Sequence, residues 1–234
     1  MKNVYITRTS KFLPNQPVSN EEMGEIIGYL NNSERIKKIV LKSNGILNRY
    51  YAFDKTGKRT HTNADLTYEA IKNLLDEDFK MSDIDLLSVG TTSPDQIVPS
   101  HAVMVHGLMK ESKHLEINSA AGNCTAGMNA LKYGFMSVKM GLVNNAVVAG
   151  SEGIAKWLSH DKFEYELDVA RKLEERPVLA FEKEFLRWML SDGAGAFLLA
   201  NEPEEKSKYN FLIEWVDGQS FADNIETCMY AGAE

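Results

Sequence analysis

From Ile84 onward the chain alternates short apolar segments with amphipathic ones, and this alternation restricts the fold more than any other feature of the sequence. Leu86-Leu87-Ser88-Val89 is a short strand of the buried type, Pro99 to Met109 reads as helix, and Leu115-Glu116-Ile117-Asn118 reads as strand. A helix begins near Cys124 and runs to about Met140. Ala146-Val147-Val148-Ala149-Gly150 is a further buried strand, and Ala194-Gly195-Ala196-Phe197-Leu198-Leu199 is another. Strands apolar on both faces need cover on both sides, and the helices between them supply it. The expectation is a layered α/β fold.

The flanking sequence is read in the same way. Val4-Tyr5-Ile6-Thr7 is a strand, followed by a loop through Pro14 and Pro17. Ser19-Asn20-Glu21-Glu22 opens a helix whose acidic first turn complements the helix dipole, with Met23, Ile26, Ile27 and Leu30 as its apolar face. Residues 41–63 are polar and rich in turn formers (Gly45, Asp54, Gly57), and a helix over Asp65 to Asp76 presents Leu66, Ala70, Ile71, Leu74 and Leu75 on one side. Residues 155–190 are charged and aromatic with a break at Pro177, and read as a surface insertion, with a lid over a pocket as the alternative. After the polar connector Asn201 to Ser207, Phe211 to Val216 starts another strand.

Composition excludes several classes. A net charge of −7 is the wrong sign for a nucleic-acid surface, which needs a basic stripe. No apolar run approaches the roughly 20 residues that cross a bilayer, and Met1 to Arg8 has no signal-peptide core, so a soluble cytoplasmic protein without a membrane partner is expected. The two cysteines, Cys124 and Cys228, are too few for a disulfide framework and show no metal-ligand spacing, so no metal site is expected.

Cys124 has an unusual setting. A strand ends in Ser119-Ala120-Ala121-Gly122-Asn123, the cysteine follows, and then comes a helix with Met128, Leu131, Phe135 and Val138 at helical spacing. Small residues on both sides permit a tight strand-to-helix turn and the close approach of a substrate. The positive end of the helix dipole favours the thiolate, and backbone N–H groups of such a turn form one half of an oxyanion hole. Thiolate chemistry suits acyl transfer, because a thioester made from another thioester keeps the acyl group activated. The residues alone leave a second reading open, a buried structural cysteine in a glycine-rich turn.

Four segments, in order, resemble the β-ketoacyl-ACP synthase III group of thiolase-fold enzymes. Asn44-Gly45-Ile46-Leu47-Asn48-Arg49 is similar to the family's Thr-Gly-Ile-x-x-Arg, and Thr91-Thr92-Ser93-Pro94-Asp95-Gln96-Ile97-Val98-Pro99-Ser100 to its Thr-Thr-x-x-Asp-x-x-x-Pro-Ser loop. The Cys124 segment resembles the nucleophile region, and Ser191-Asp192-Gly193-Ala194-Gly195-Ala196 the Gly-Asp-Gly-Ala-Gly-Ala turn. The resemblance implies a layered αβαβα fold, residues 1–200 forming the N-terminal half and 201–234 beginning the second. It implies a homodimer that loads an acyl group from acyl-CoA or acyl-ACP onto Cys124 and condenses it with decarboxylating malonyl-ACP. It calls for no cofactor. Acyl carrier protein is the implied partner, with Thr92, Val98 and Asn123 contacting substrate. Val98 would reach into the partner's acyl pocket where a bulky aromatic is common, which implies a wider acyl tunnel; plain interface packing is the alternative.

The sequence also departs from the family. The catalytic His and Asn of the second half are expected beyond Glu234, so the chain as it stands is expected not to condense. The five histidines, His61, His101, His106, His114 and His160, read as structural or surface residues. Ile39 and Ser43 stand where the family has a Trp and an Arg that grip coenzyme A, which favours an ACP-bound starter. The Cys-Thr-Ala-Gly spacing is similar to that of chalcone-synthase-like and HMG-CoA-synthase-like relatives. A non-catalytic partner subunit is the remaining reading, and the intact Cys124 speaks against it.

Overall fold

The computed structural model of the chain describes residues 1–28, 34–155 and 185–226. In chain order the elements are β1 (Tyr5–Phe12), β2 (Val18–Ser19), α1 (Met23–Ile27), α2 (Glu34–Asn44), β3 (Asn48–Arg49) and α3 (Asn63–Lys72). There follow β4 (Leu86–Gly90), α4 (His101–Leu108), β5 (Glu116–Ala120), α5 (Ala126–Lys139), β6 (Asn145–Glu152), β7 (Gly193–Ala200) and β8 (Phe211–Leu212). They fall into two compact units, one made of Met1–Pro14, His61–Gly153 and Gly193–Asp217, the other of Asn15–Thr60, Ile154–Asp192 and Gly218–Glu234.

The first unit is built on a mixed sheet of order β5-β4-β6-β7-β1-β8. Strand β4 runs parallel to both β5 and β6, whereas β7 is antiparallel to β6 and β1. Side chains of a strand alternate between faces, and the two faces carry different helices. Leu86, Ala146, Val148 and Leu199 pack with Leu131, Phe135 and Val138 of α5. On the opposite face Ser151 of β6 meets Thr67 of α3 and His101 of α4, and Ser10 of β1 donates to the Ala70 carbonyl of α3. The unit is therefore three layers thick, α5, sheet, then α3 with α4, in agreement with the layered α/β expectation. The start of α3 is secured by a capping box: the Thr62 hydroxyl accepts from the Asp65 N–H (3.0 Å) and the Asp65 carboxylate accepts from the Thr62 N–H (2.8 Å).

The second unit holds the two-stranded ribbon of β2 and β3 and a core of Val18, Met23, Ile27, Leu41, Tyr51, Phe53, Ala155 and Trp188. Arg49, the arginine of the Gly-Ile-x-x-Arg segment, is almost fully buried and donates to the Asn20 side chain (2.6 Å) and the Trp188 carbonyl (2.5 Å). Asp192 is buried there too, accepting from the N–H groups of Ala52 (2.7 Å) and Ala155 (2.8 Å), and burial pushes its carboxyl up to about 6.

Several boundaries differ from the sequence reading. Strand β1 continues to Phe12 through polar residues, because β7 pairs with it along its whole length. Helix α2 extends to Asn44, into the stretch read as turn-rich. Leu41 buries its face and Gly45, at φ +67°, supplies the left-handed stop. The expected strand Phe211 to Val216 is regular only at Phe211 and Leu212. Leu30, Cys228, His160 and the insertion around Pro177 lie outside the described residues. Among the described residues no helix is long and apolar enough to cross a membrane.

Candidate active site

Parallel strands deliver their outgoing loops to one edge of a sheet, and that edge is where α/β proteins place their chemistry. Here the loops after β4, β5 and β6 emerge side by side, and the Thr91 N–H donates to the Ala120 carbonyl (3.2 Å), tying the first loop to the end of β5.

The loop after β4 is closed by internal polar bonds. Glu152, the last residue of β6, accepts from the Thr92 N–H (2.8 Å), the Ser93 hydroxyl (2.5 Å) and the Thr91 hydroxyl (3.4 Å). Ser93 in turn accepts from the Gly153 N–H (2.9 Å). Asn63 donates to the Thr91 hydroxyl and the Ser93 carbonyl, both at 2.8 Å. Asp95 accepts from the N–H groups of Asn63 (3.0 Å) and Ala64 (2.9 Å), which adds a carboxylate to the start of α3. The Thr-Thr-Ser-Pro-Asp motif thus fixes the loop itself. Its exposed parts are Thr92 and, farther on, Gln96 to Ser100, with Val98 81% exposed.

The Cys124 turn follows β5. Gly122 has φ +141° and Asn123 φ +51°, so two successive residues have left-handed or glycine-type backbone immediately before the cysteine. Asn is among the few side chains that tolerate this region. Residues Asn123–Thr125 form a single 3₁₀ turn that leads into α5. Cys124 is a free thiol and exposed. The expectation of a tight strand-to-helix turn with the cysteine at the helix start is met, and the alternative of a buried structural cysteine is not.

The start of α5 is sunk into the sheet. A Cβ on Gly90 would lie 2.1 Å from the Ala126 carbonyl oxygen, and one on Gly150 would lie 3.2 Å from the Gly127 Cα. Glycines at the ends of β4 and β6 therefore let the first turn of α5 approach backbone to backbone. The Cys-x-x-Gly spacing acquires a packing reason, since Gly127 is the helix residue that meets Gly150.

The histidines occupy other places. His101 is buried, its Nε2 within hydrogen-bond distance of the hydroxyls of Thr67 (3.0 Å) and Ser151 (3.2 Å), and burial pulls its pKa down to about 4. His106 pairs with Ser112, and the His61 ring stands edge-on to Phe12. Sequence reasoning missed Glu152 and Asn129, whose Nδ2 donates to the Ala121 carbonyl (3.0 Å). An acid ending a strand and an amide on an exposed helix face carry no pattern that sets them apart. Only the three-dimensional position of the neighbouring loops does.

No family model matches the chain. The comparison with solved structures gives the class first: over 87% of this chain and 56% of the other it superposes on a tetronic acid condensing enzyme, with a TM-score of 0.67 and 24% identity. The fold is that of the thiolase-like condensing enzymes. Within that fold the chain is a homologue of proteins named β-ketoacyl-[acyl-carrier-protein] synthase III. That from Clostridium perfringens is 30% identical over 162 residues (68% of this chain, 45% of the relative), and that from Ehrlichia ruminantium 25% over 219 residues (93% and 58%). The chain spans about half the length of the curated relatives it matches.

Proposed function

We propose that the chain carries the acyl-accepting site of a condensing acyltransferase, with Cys124 as nucleophile. Its sulfur attacks the carbonyl carbon of an acyl thioester, and negative charge passes to the carbonyl oxygen. Collapse of the adduct expels the carrier's thiolate and leaves the acyl group on Cys124 as a thioester. Malonyl-ACP then loses carbon dioxide, and the resulting carbanion attacks the acyl-cysteine carbonyl. The Cys124 thiolate leaves and a 3-oxoacyl product forms, for fatty-acid or specialised lipid or polyketide assembly. In this reading residues 1–200 are the first half of a two-part enzyme and 201–234 open the second. The protein acts in the cytoplasm as a homodimer served by acyl carrier protein, with Thr92, Val98 and Asn123 lining the substrate's path.

The observation that carries the proposal is the exposed Cys124 in the 3₁₀ turn that leads into α5, a helix whose start is set between the carboxyl ends of β4 and β6. Glycines at those strand ends seat the helix start against the sheet, and the exposed thiol just before it is open to a substrate carbonyl. The same exposure argues against a non-catalytic partner subunit.

Incubation of the full chain with radiolabelled acyl-CoA and, separately, acyl-ACP tests the reading, with Cys124→Ala, which keeps Cys228, as the control that shows any label taken elsewhere. Label on the wild type that disappears in C124A is expected, with the ACP donor preferred. Absence of Cys124-dependent label from both donors would remove the acyl-transfer reading.

A further inference from the structure

We propose that Asn129 and Thr125 are positioning residues for Cys124: the two side chains clamp the turn before it and so set where its sulfur lies relative to α5. The inference rests on the acyl-transfer reading above and adds to it two residues that act through the turn.

The turn needs a clamp because of its backbone. Gly122, with φ +141°, and Asn123, with φ +51°, form a pair with a wide conformational range when unrestrained. Two bonds from the start of the following helix restrict it. Asn129 Nδ2 donates to the Ala121 carbonyl (3.0 Å), and Thr125 Oγ1 donates to the Gly122 carbonyl (2.6 Å), which also accepts from the Thr125 N–H (3.0 Å). Gly122 is held under the Asn129 amide as well, since a Cβ there would lie 2.6 Å from Nδ2 and 3.1 Å from the Thr125 hydroxyl. The carbonyls of the two residues that lead into Asn123 and Cys124 are thus fixed to the helix that follows. Behind that helix start, Gly90 and Gly150 fix its height over the sheet. The sulfur is therefore located by the sheet through the helix, and by the helix through the clamp.

Both clamp residues are exposed, so substituting them leaves the core intact. Acyl transfer needs the sulfur and the turn's N–H groups aligned on one carbonyl, and a displacement of about 1 Å costs on the order of a hundredfold in rate. Alkylation by iodoacetamide needs only an accessible thiol. The two reactions therefore separate positioning from folding and access.

The experiment compares Cys124-dependent acylation, alkylation by iodoacetamide and melting temperature for the wild-type chain and for Asn129→Ala, Thr125→Val and Thr125→Ser. N129A and T125V are expected to acylate at least about tenfold more slowly. Their alkylation rates should stay within about threefold of wild type, and T125S, which keeps the hydroxyl, should acylate within about twofold. Wild-type acylation rates in N129A and T125V would overturn the proposal. So would equal impairment of T125S and T125V, or a parallel fall in alkylation. If the wild-type chain takes no label at all, the acyl-transfer reading itself fails and the positioning role goes with it. If the wild type is labelled and the variants match it, only the clamp fails.

Discussion

Gly90 faces Ala126 so closely that a methyl group on Gly90 would sit 2.1 Å from the Ala126 carbonyl oxygen and 2.8 Å from the Gly127 nitrogen. These are backbone atoms of a helix start and cannot rotate away as a side-chain tip can. Gly90→Ala must therefore lift the first turn of α5 off β4. Overpacking of this kind costs about 1–3 kcal/mol, and the displaced helix start is joined directly to the 3₁₀ turn that holds Cys124. The expected outcome is a lower midpoint in denaturant titration together with loss of acylation at Cys124. A G90A variant with wild-type stability and labelling would show that the close approach has no consequence.

Glu152 bonds three groups of the loop after β4 through one carboxylate. Glu152→Gln keeps the shape but turns one of the two accepting atoms into a donor, so that either the Thr92 N–H faces another donor or the Ser93 and Thr91 hydroxyls lose the oxygen they donate to. A polar group left unsatisfied in this way costs about 1–3 kcal/mol, felt locally in the loop. Amide hydrogen exchange at Thr92 and Ser93 is expected to accelerate in E152Q, while exchange in the β6 and β7 ladder stays unchanged. Unaltered protection of the loop would mean that Glu152 is not what holds it.

The layered architecture was legible because buried strands announce themselves. Leu86-Leu87 and Ala146-Val147-Val148-Ala149 have no polar alternation and can only sit between two layers. Strand β1 was legible only in its first residues, since Arg8, Ser10 and Lys11 belong to it by virtue of β7 and a neighbour's pairing leaves no trace in local composition. Cys124 stood out because small residues crowd around it. Thr92 and Asp95 were recognised by family pattern, but the pattern did not say that Asp95 bonds the start of α3. Long-range partners such as Glu152 and Asn129 are invisible to any one-dimensional reading because their meaning lies in which loop arrives opposite them.

Two buried groups give the stability opposite pH slopes. His101 titrates near 4 in the folded chain against an ordinary 6.5, so between those values the unfolded chain binds the extra proton and stability falls as the pH drops. Asp192 titrates near 6 against an ordinary 3.8, so there the folded chain binds the extra proton and stability falls as the pH rises. At roughly 1.36 kcal/mol per pH unit each effect amounts to about 3 kcal/mol across its window. Relative to wild type, His101→Gln should lose stability as pH rises from about 4 to about 6, and Asp192→Asn should gain it. Denaturant titrations of the three proteins across that range decide the matter, and parallel curves would show that neither burial matters energetically.

Val98 allows the proposed acyl pocket to be tested apart from the fold. The side chain is 81% exposed in this chain, so Val98→Phe adds a ring without displacing any core residue and should leave melting temperature and iodoacetamide reactivity of Cys124 unchanged. In the proposed homodimer the same ring enters the partner's acyl pocket and shortens it. Long acyl groups lose their place while short ones still fit, and the lost burial is worth about 0.8 kcal/mol for each excluded methylene. Acylation of Cys124 by long-chain donors is therefore expected to fall by more than about tenfold in V98F, with short-chain donors little affected. Equal labelling of wild type and V98F by donors of every length would remove Val98 from the acyl site and reduce it to interface packing.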